Sequence, residues 1–92
     1  MRKANILVYG TDWCGDCLRA RRFLNQNQIP FDWINIDQDK EGEMLVYQIN
    51  RGLRSVPTII FPDGTILVEP TNLELAQKFA IPMNAPLKQF SR

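Results

Sequence analysis

The stretch NILVYGTDWCGDC, residues 5–17, decides the fold and the chemistry of this 92-residue chain. Its first part, residues 5–9, is nearly all apolar and rich in β-formers, which predicts a strand buried on both faces. Gly10 to Asp12 end that strand, and from Gly15 onward the apolar residues recur at helical spacing. The two cysteines therefore lie where a helix begins, directly after a buried strand.

Together with the apolar patterns along the rest of the chain, this stretch predicts seven elements in the order β-α-β-α-β-β-α. The predicted strands cover residues 5–9, 31–37, 58–61 and 65–68, and the predicted helices cover about 15–27, 40–50 and 71–80. A helix between the first two strands makes them parallel. Pro62-Asp63-Gly64, between two β-branched runs, predicts an antiparallel hairpin. We therefore predict an α/β fold, a three-layer sandwich around a four-stranded mixed sheet.

Size, composition and charge fit a single small domain. With 45% hydrophobic residues, 23% charged residues and a net charge of +1, the chain gives no sign of a nucleic-acid partner. No apolar run approaches the roughly 20 residues of a membrane helix, and the N-terminal apolar run is too short for a signal peptide. We expect a cytoplasmic monomer, with residues 1–81 as the domain and residues 82–92 as a flexible tail.

The spacing of Cys14 and Cys17 indicates thiol–disulfide chemistry. The thiolate is the reactive form of cysteine, and the free N–H groups and partial positive charge of a helix start favour it at Cys14. Cys17, one turn further on, can attack a mixed disulfide formed at Cys14. We therefore predict that Cys14 attacks and Cys17 resolves. The Asp16 carboxylate repels a nearby thiolate, so Asp16 is expected to tune the acidity of Cys14.

Other interpretations of the cysteine pair exist. Cys-x-x-Cys is also a common pair of zinc ligands, but four ligands are usual. The chain has no histidine and no third cysteine, so one chain cannot complete a closed structural zinc site, and we predict no metal. A metal or iron–sulfur carrier bridged across a dimer, a structural disulfide in a tight loop and a plain interaction domain remain as alternatives.

Several motifs together resemble a known family. They are the strand that ends at Tyr9, the Trp13-Cys14-Gly15-Asp16-Cys17 turn, Ala20 in the following helix, and the segment Arg54-Ser55-Val56-Pro57-Thr58. This set resembles the glutaredoxins of the thioredoxin superfamily, and most of all the group that includes mycoredoxins. The resemblance covers about residues 5–80. It implies the thioredoxin fold and a disulfide oxidoreductase, without a bound cofactor, that reduces protein disulfides or mixed disulfides with small thiols.

The resemblance also assigns roles to residues around the cysteines. Pro57 is expected to be a cis-proline that faces them, and Val56 to offer its backbone to the substrate as an added strand would. Trp13 is expected to shield Cys14. Arg54 is expected to hold a carboxylate of a small thiol.

Three departures from the glutathione-using members bear on the electron source. Gly15-Asp16 replaces Pro-Tyr, Thr11 replaces a lysine, and residues 67–72 lack the Gly-Gly turn and aspartate that hold glutathione. The stretch Val68-Glu69-Pro70-Thr71 is similar to the mycoredoxin pattern. Two kinds of reductant thus fit the sequence. One is a small thiol such as mycothiol or glutathione, and the other is a flavoprotein of the thioredoxin-reductase type. A thioredoxin-like donor to ribonucleotide reductase or a peroxidase is the alternative function.

Overall fold

The computed structural model describes residues 5–82 and has the element order predicted from the sequence. The elements are β1 (Ile6–Gly10), α1 (Gly15–Gln26), β2 (Phe31–Asn35), α2 (Lys40–Ile49), β3 (Thr58–Ile60), β4 (Ile66–Val68) and α3 (Asn72–Lys78). The predicted ends differ by one or two residues. The second strand ends at Asn35 instead of residue 37, because the Asn35 side chain accepts the Asp37 backbone N–H and starts a turn. The predicted tail lies outside the described residues, apart from Pro82.

The four strands form one mixed sheet in the order β2-β1-β3-β4. β1 and β2 are parallel, with Ile6 opposite Phe31. β3 runs antiparallel to both β1 and β4. This arrangement confirms the predicted parallel pair and the predicted hairpin, and it places β1 in the interior of the sheet.

Helices cover both faces of the sheet, which gives the predicted three layers. α1 and α3 pack on one face through a cluster of buried residues: Ile6, Val8, Ala20, Phe23, Leu24, Ile59, Phe61, Leu75 and Ala76. α2 packs on the other face, where Val46 contacts Tyr9 and Ile36. None of the helices within residues 5–82 is long and apolar enough to cross a membrane.

The buried face of α2 differs from the prediction. The spacing of Leu45 and Ile49, one turn apart, predicts that they lie on the buried face of this helix, but both are only partly buried, and the buried residues are Gly42 and Val46. Gly42 lies so close to the sheet that an added Cβ would be 2.9 Å from the Ile34 side chain. A glycine gives no apolar signal in the sequence, so a hydrophobic pattern cannot identify it as a packing residue.

Candidate active site

Cys14 caps the N-terminus of α1. Its backbone is extended, with φ −89° and ψ 123°, and Gly15 is the first residue of the helix. The Cys17 backbone N–H donates a hydrogen bond to the Cys14 sulfur at 3.4 Å. Cys14 is partly exposed. The Cys14 sulfur thus occupies the capping position of the helix, where it accepts one of the backbone N–H groups that the helix leaves without a partner.

Cys17 has the opposite environment on the inner side of the same helix turn. Its side chain is fully buried, and both cysteines are free thiols. Burial raises the pKa of Cys17 to about 12; the neighbouring Cys14 and Asp16 also raise it, while a hydrogen bond from the Thr11 backbone opposes them. Cys17 therefore stays protonated and out of solvent while Cys14 is accessible. The geometry fits the predicted division into an attacking and a resolving sulfur.

The segment before β3 lies next to Cys14. The Val56–Pro57 peptide bond is cis, as the resemblance implies. The Cys14 sulfur lies 3.9 Å from the Val56 carbonyl oxygen. Pro57 is buried, whereas Val56 is partly exposed. The structure thus brings together two segments that are about forty residues apart in the chain, the cysteine turn and the proline segment.

Trp13 and Arg54 are joined through one carboxylate, that of Asp37. Trp13 is 72% exposed, and its indole N–H donates to Asp37 Oδ2 at 2.8 Å. Arg54 donates to Asp37 Oδ1 at 2.6 Å and, through Nε, to Glu43 at 3.0 Å. The Arg54 guanidinium, together with the indole N–H, holds the pKa of Asp37 below its usual range. The structure therefore places Arg54 in a cluster of side chains with two carboxylates.

The other arginines of the site are also paired. Arg21 lies 3.7 Å from the Asp12 carboxylate and stacks on the Trp33 ring at 4.0 Å. Arg19 donates to the Asn72 side chain at 3.0 Å and lies 3.4 Å from Asp16. Arg19 and Arg21, two of the arginines that follow the cysteine turn, thus each contact a local acceptor.

Some residues of the site are missing from the sequence-based prediction. Asn35, which donates to Asp12 at 3.1 Å, and Asp37, which accepts from Trp13, both fall in the predicted strand 31–37, and the sequence analysis assigns neither of them to the site. Both lie at the carboxyl end of β2, beside the carboxyl end of β1. Since parallel strands bring their carboxyl ends to one edge, this position is the signal that could have identified them.

Thr11 is a further buried residue of the site. Its side chain has no exposed surface, and the hydroxyl has no hydrogen-bond partner among the residues that the structure describes. Its backbone contacts Cys17. Over the same range, residues 5–82, no group of three or more histidine, cysteine, aspartate or glutamate side chains is arranged to hold a metal ion.

Comparison with known proteins identifies the family. A family model described as Glutaredoxin matches residues 6–66. The chain belongs to the glutaredoxin family. This confirms the resemblance predicted from the cysteine and proline motifs. Glutaredoxins act on disulfides with small thiols as reductants and typically need no bound cofactor, so membership indicates thiol–disulfide oxidoreductase activity.

Individual relatives of this glutaredoxin include mycobacterial and corynebacterial proteins. A Mycobacterium tuberculosis protein named as a glutaredoxin is 37% identical over 78 residues, which are 85% of this chain and 93% of that protein. Mycoredoxin 1 of Corynebacterium glutamicum is 36% identical over 75 residues, 82% of this chain and 92% of that one. The glutaredoxin-like protein NrdH of Lactococcus lactis is 33% identical over 58 residues, 63% of this chain and 78% of its own length.

Solved structures confirm the thioredoxin-like fold. The crystal structure of a mutant of the thioredoxin-like protein BC3987 superposes with a TM-score of 0.74 and covers 87% of this chain and 100% of that one. At 21% sequence identity, this likeness supports the fold alone.

Proposed function

We propose that this glutaredoxin reduces mixed disulfides between proteins and a small thiol, and that the small thiol is mycothiol or a similar uncharged compound. Cys14 thiolate attacks one sulfur of the substrate, the substrate disulfide breaks, and the leaving thiolate takes a proton. The resulting mixed disulfide at Cys14 is released by Cys17 or by a second small thiol. The observation that carries the proposal is the placement of Cys14, at a helix N-terminus and beside Val56, with Cys17 buried behind it.

The residues around Cys14 have distinct roles in this proposal. Val56 and Pro57 form one side of the substrate groove and Trp13 the other, with the Val56 backbone available to an extended substrate segment. Asp16 tunes the acidity of Cys14 through its charge. Arg54, which the resemblance assigns to a carboxylate of the small thiol, is occupied in this proposal by Asp37 and Glu43. The setting is a cytoplasmic monomer, residues 1–81, in a compartment that keeps the cysteines reducible.

Charge balance supports an uncharged small thiol over glutathione. Glutathione carries two carboxylates, which an arginine without another partner would bind well. Arg19, Arg21 and Arg54 each already contact an acceptor. The likeness to mycoredoxin 1, whose name refers to mycothiol, agrees with this choice.

The test compares two mixed disulfides of one peptide cysteine, carrying mycothiol or glutathione, each assayed with its own small thiol and reductase. We expect a higher kcat/KM with the mycothiol disulfide and no turnover of either by Cys14→Ser. Equal kcat/KM values would remove the preference for mycothiol, and full activity of Cys14→Ser would remove the oxidoreductase proposal altogether.

The likeness to NrdH favours a second candidate, a thioredoxin-like electron donor to ribonucleotide reductase or a peroxidase. Such a donor uses both cysteines and takes electrons directly from a flavoprotein. A coupled NADPH assay separates the two candidates. Consumption with thioredoxin reductase and no small thiol supports the donor, and a requirement for the small thiol supports the mixed-disulfide activity. A dimer-bridged metal or iron–sulfur carrier predicts instead a coloured or metal-loaded dimer from anaerobic purification.

A further inference from the structure

Asp37 connects the two loops that flank Cys14. One of its carboxylate oxygens accepts the Trp13 indole N–H at 2.8 Å, and the other accepts from Arg54 at 2.6 Å. Trp13 immediately precedes Cys14, and Arg54 lies three residues before Pro57. The two walls of the proposed groove are therefore tied to a single side chain that belongs to neither loop.

The position of Asp37 is itself fixed by hydrogen bonds. Its backbone N–H donates to Asn35 Oδ1 at 2.9 Å, and the Asn35 amide donates to Asp12 at 3.1 Å. Asp12 also lies 3.7 Å from Arg21. The β2–α2 loop that carries Asp37 is thus joined to the segment just before the cysteines at two points, through Asp12 and through Trp13.

Asp37 is also one of two carboxylates that engage Arg54. Arg54 points two of its nitrogen atoms at carboxylates, Nε at Glu43 and one terminal nitrogen at Asp37. Its side chain is 29% exposed, so the guanidinium is within reach of solvent and of a bound small molecule. An arginine that keeps two carboxylate partners has little to gain from a third, whereas one that loses a partner can bind a substrate carboxylate.

We propose that Asp37 is a specificity-determining residue, which occupies Arg54 and holds Trp13 so that the groove accepts uncharged disulfides in preference to anionic ones. This inference rests on the proposed oxidoreductase function, whose substrate class it narrows. Asp37 acts through Arg54 and Trp13, so it is a positioning residue.

The test uses single-turnover reduction by the pre-reduced protein, which needs no knowledge of the natural reductant. In each turnover the Cys14–Cys17 dithiol is oxidised to a disulfide and one small disulfide is reduced to two thiols. The probes are bis-hydroxyethyl disulfide, dithiodipropionate and cystamine, which are neutral, anionic and cationic. The quantity compared is the ratio of the second-order rate constants for the anionic and the neutral probe.

Asp37→Asn keeps an oxygen for the Trp13 indole but presents no charge to Arg54. We expect this variant to raise the ratio of the rate constants for the anionic and the neutral probe about fivefold. A change of this size corresponds to the upper end of the strength of a partly exposed ion pair. Adding Arg54→Gln to Asp37→Asn must abolish the gain, since the gain depends on the released guanidinium. Asp32→Asn removes the same charge from an exposed position on β2 and must leave the ratio unchanged.

The hydrogen bond between Asp37 and the Trp13 indole is tested separately. Asp37→Ala removes the hydrogen-bond acceptor of the Trp13 indole, and we expect it to lower the rate constant for the neutral probe in the wild-type background. In a Trp13→Phe background we expect no such loss, because phenylalanine has no N–H to donate. An equal loss in both backgrounds would contradict the role of Asp37 in holding Trp13.

Other outcomes are equally decisive. An unchanged ratio in Asp37→Asn, a gain that persists without Arg54, or the same gain in Asp32→Asn would each overturn the inference while leaving the oxidoreductase function intact. If the wild-type protein reduces none of the three probes, the proposed function fails and the inference fails with it.

Discussion

At the scale of single residues, two identical side chains three positions apart lie in opposite environments. The Cys14 sulfur is partly exposed and accepts a helix N–H, whereas Cys17 is fully buried and its pKa is raised to about 12 by burial. Their spacing at the start of a helix predicts thiol–disulfide chemistry, and the division of roles between the two sulfurs is part of our proposal. The bonds of Asp37 could not be predicted, because its partners Trp13 and Arg54 are 24 and 17 residues away and no periodic pattern links them.

Selective alkylation tests this difference between the two sulfurs. At about pH 8, close to the ordinary titration range of cysteine, the raised pKa of Cys17 keeps it as the neutral thiol, which does not react. We expect iodoacetamide to label Cys14 alone in the folded, reduced protein and both cysteines in urea, as read by peptide mass spectrometry. Equal labelling of the two sulfurs in the folded state would contradict the burial of Cys17.

At the scale of elements, the end of β1 lies directly against the first turn of α1, and this contact sets the position of the cysteine turn. Gly10 ends β1, and a Cβ at this position would lie 2.5 Å from the Cys17 sulfur and 2.9 Å from the Trp33 ring. The order and type of all seven elements could be predicted, since each depends on a local apolar pattern. The buried face of α2 could not, because its centre is a glycine. Close backbone contacts of this kind become visible only when the elements are packed.

Alanine at Gly10 is expected to destabilise the protein by about 1–3 kcal/mol, the usual range for overpacking a tight interior site. Gly15→Ala is the matched control, because apart from its chain neighbours and the backbone of its own helix no atom lies within 4 Å of the added Cβ. We expect that variant to be neutral or more stable by up to about 1 kcal/mol, since alanine reduces the freedom of the unfolded chain. Urea unfolding of the reduced proteins measures both values, and equal free energies of unfolding for the two variants would refute the packing role of Gly10.

At the scale of the whole molecule, the strand order β2-β1-β3-β4 assembles the site from three separate parts of the chain. The cysteine turn follows β1, and Asn35 and Asp37 lie at the end of β2. The segment before β3 contains Arg54, Val56 and Pro57. The sequence predicted the first and third parts through their motifs. The second part has no motif, and its place depends on the parallel pairing of β1 with β2.

The proposed mechanism requires that Cys14 forms the mixed disulfide and that Cys17 only resolves it. Its most direct test is intact-protein mass spectrometry of Cys14→Ser and Cys17→Ser after brief exposure to bis-hydroxyethyl disulfide. We predict that Cys17→Ser rapidly gains the mass of one small thiol, held at Cys14, and that Cys14→Ser gains none on the same timescale. Labelling of Cys14→Ser at Cys17 as fast as that of Cys17→Ser at Cys14 would contradict the claim.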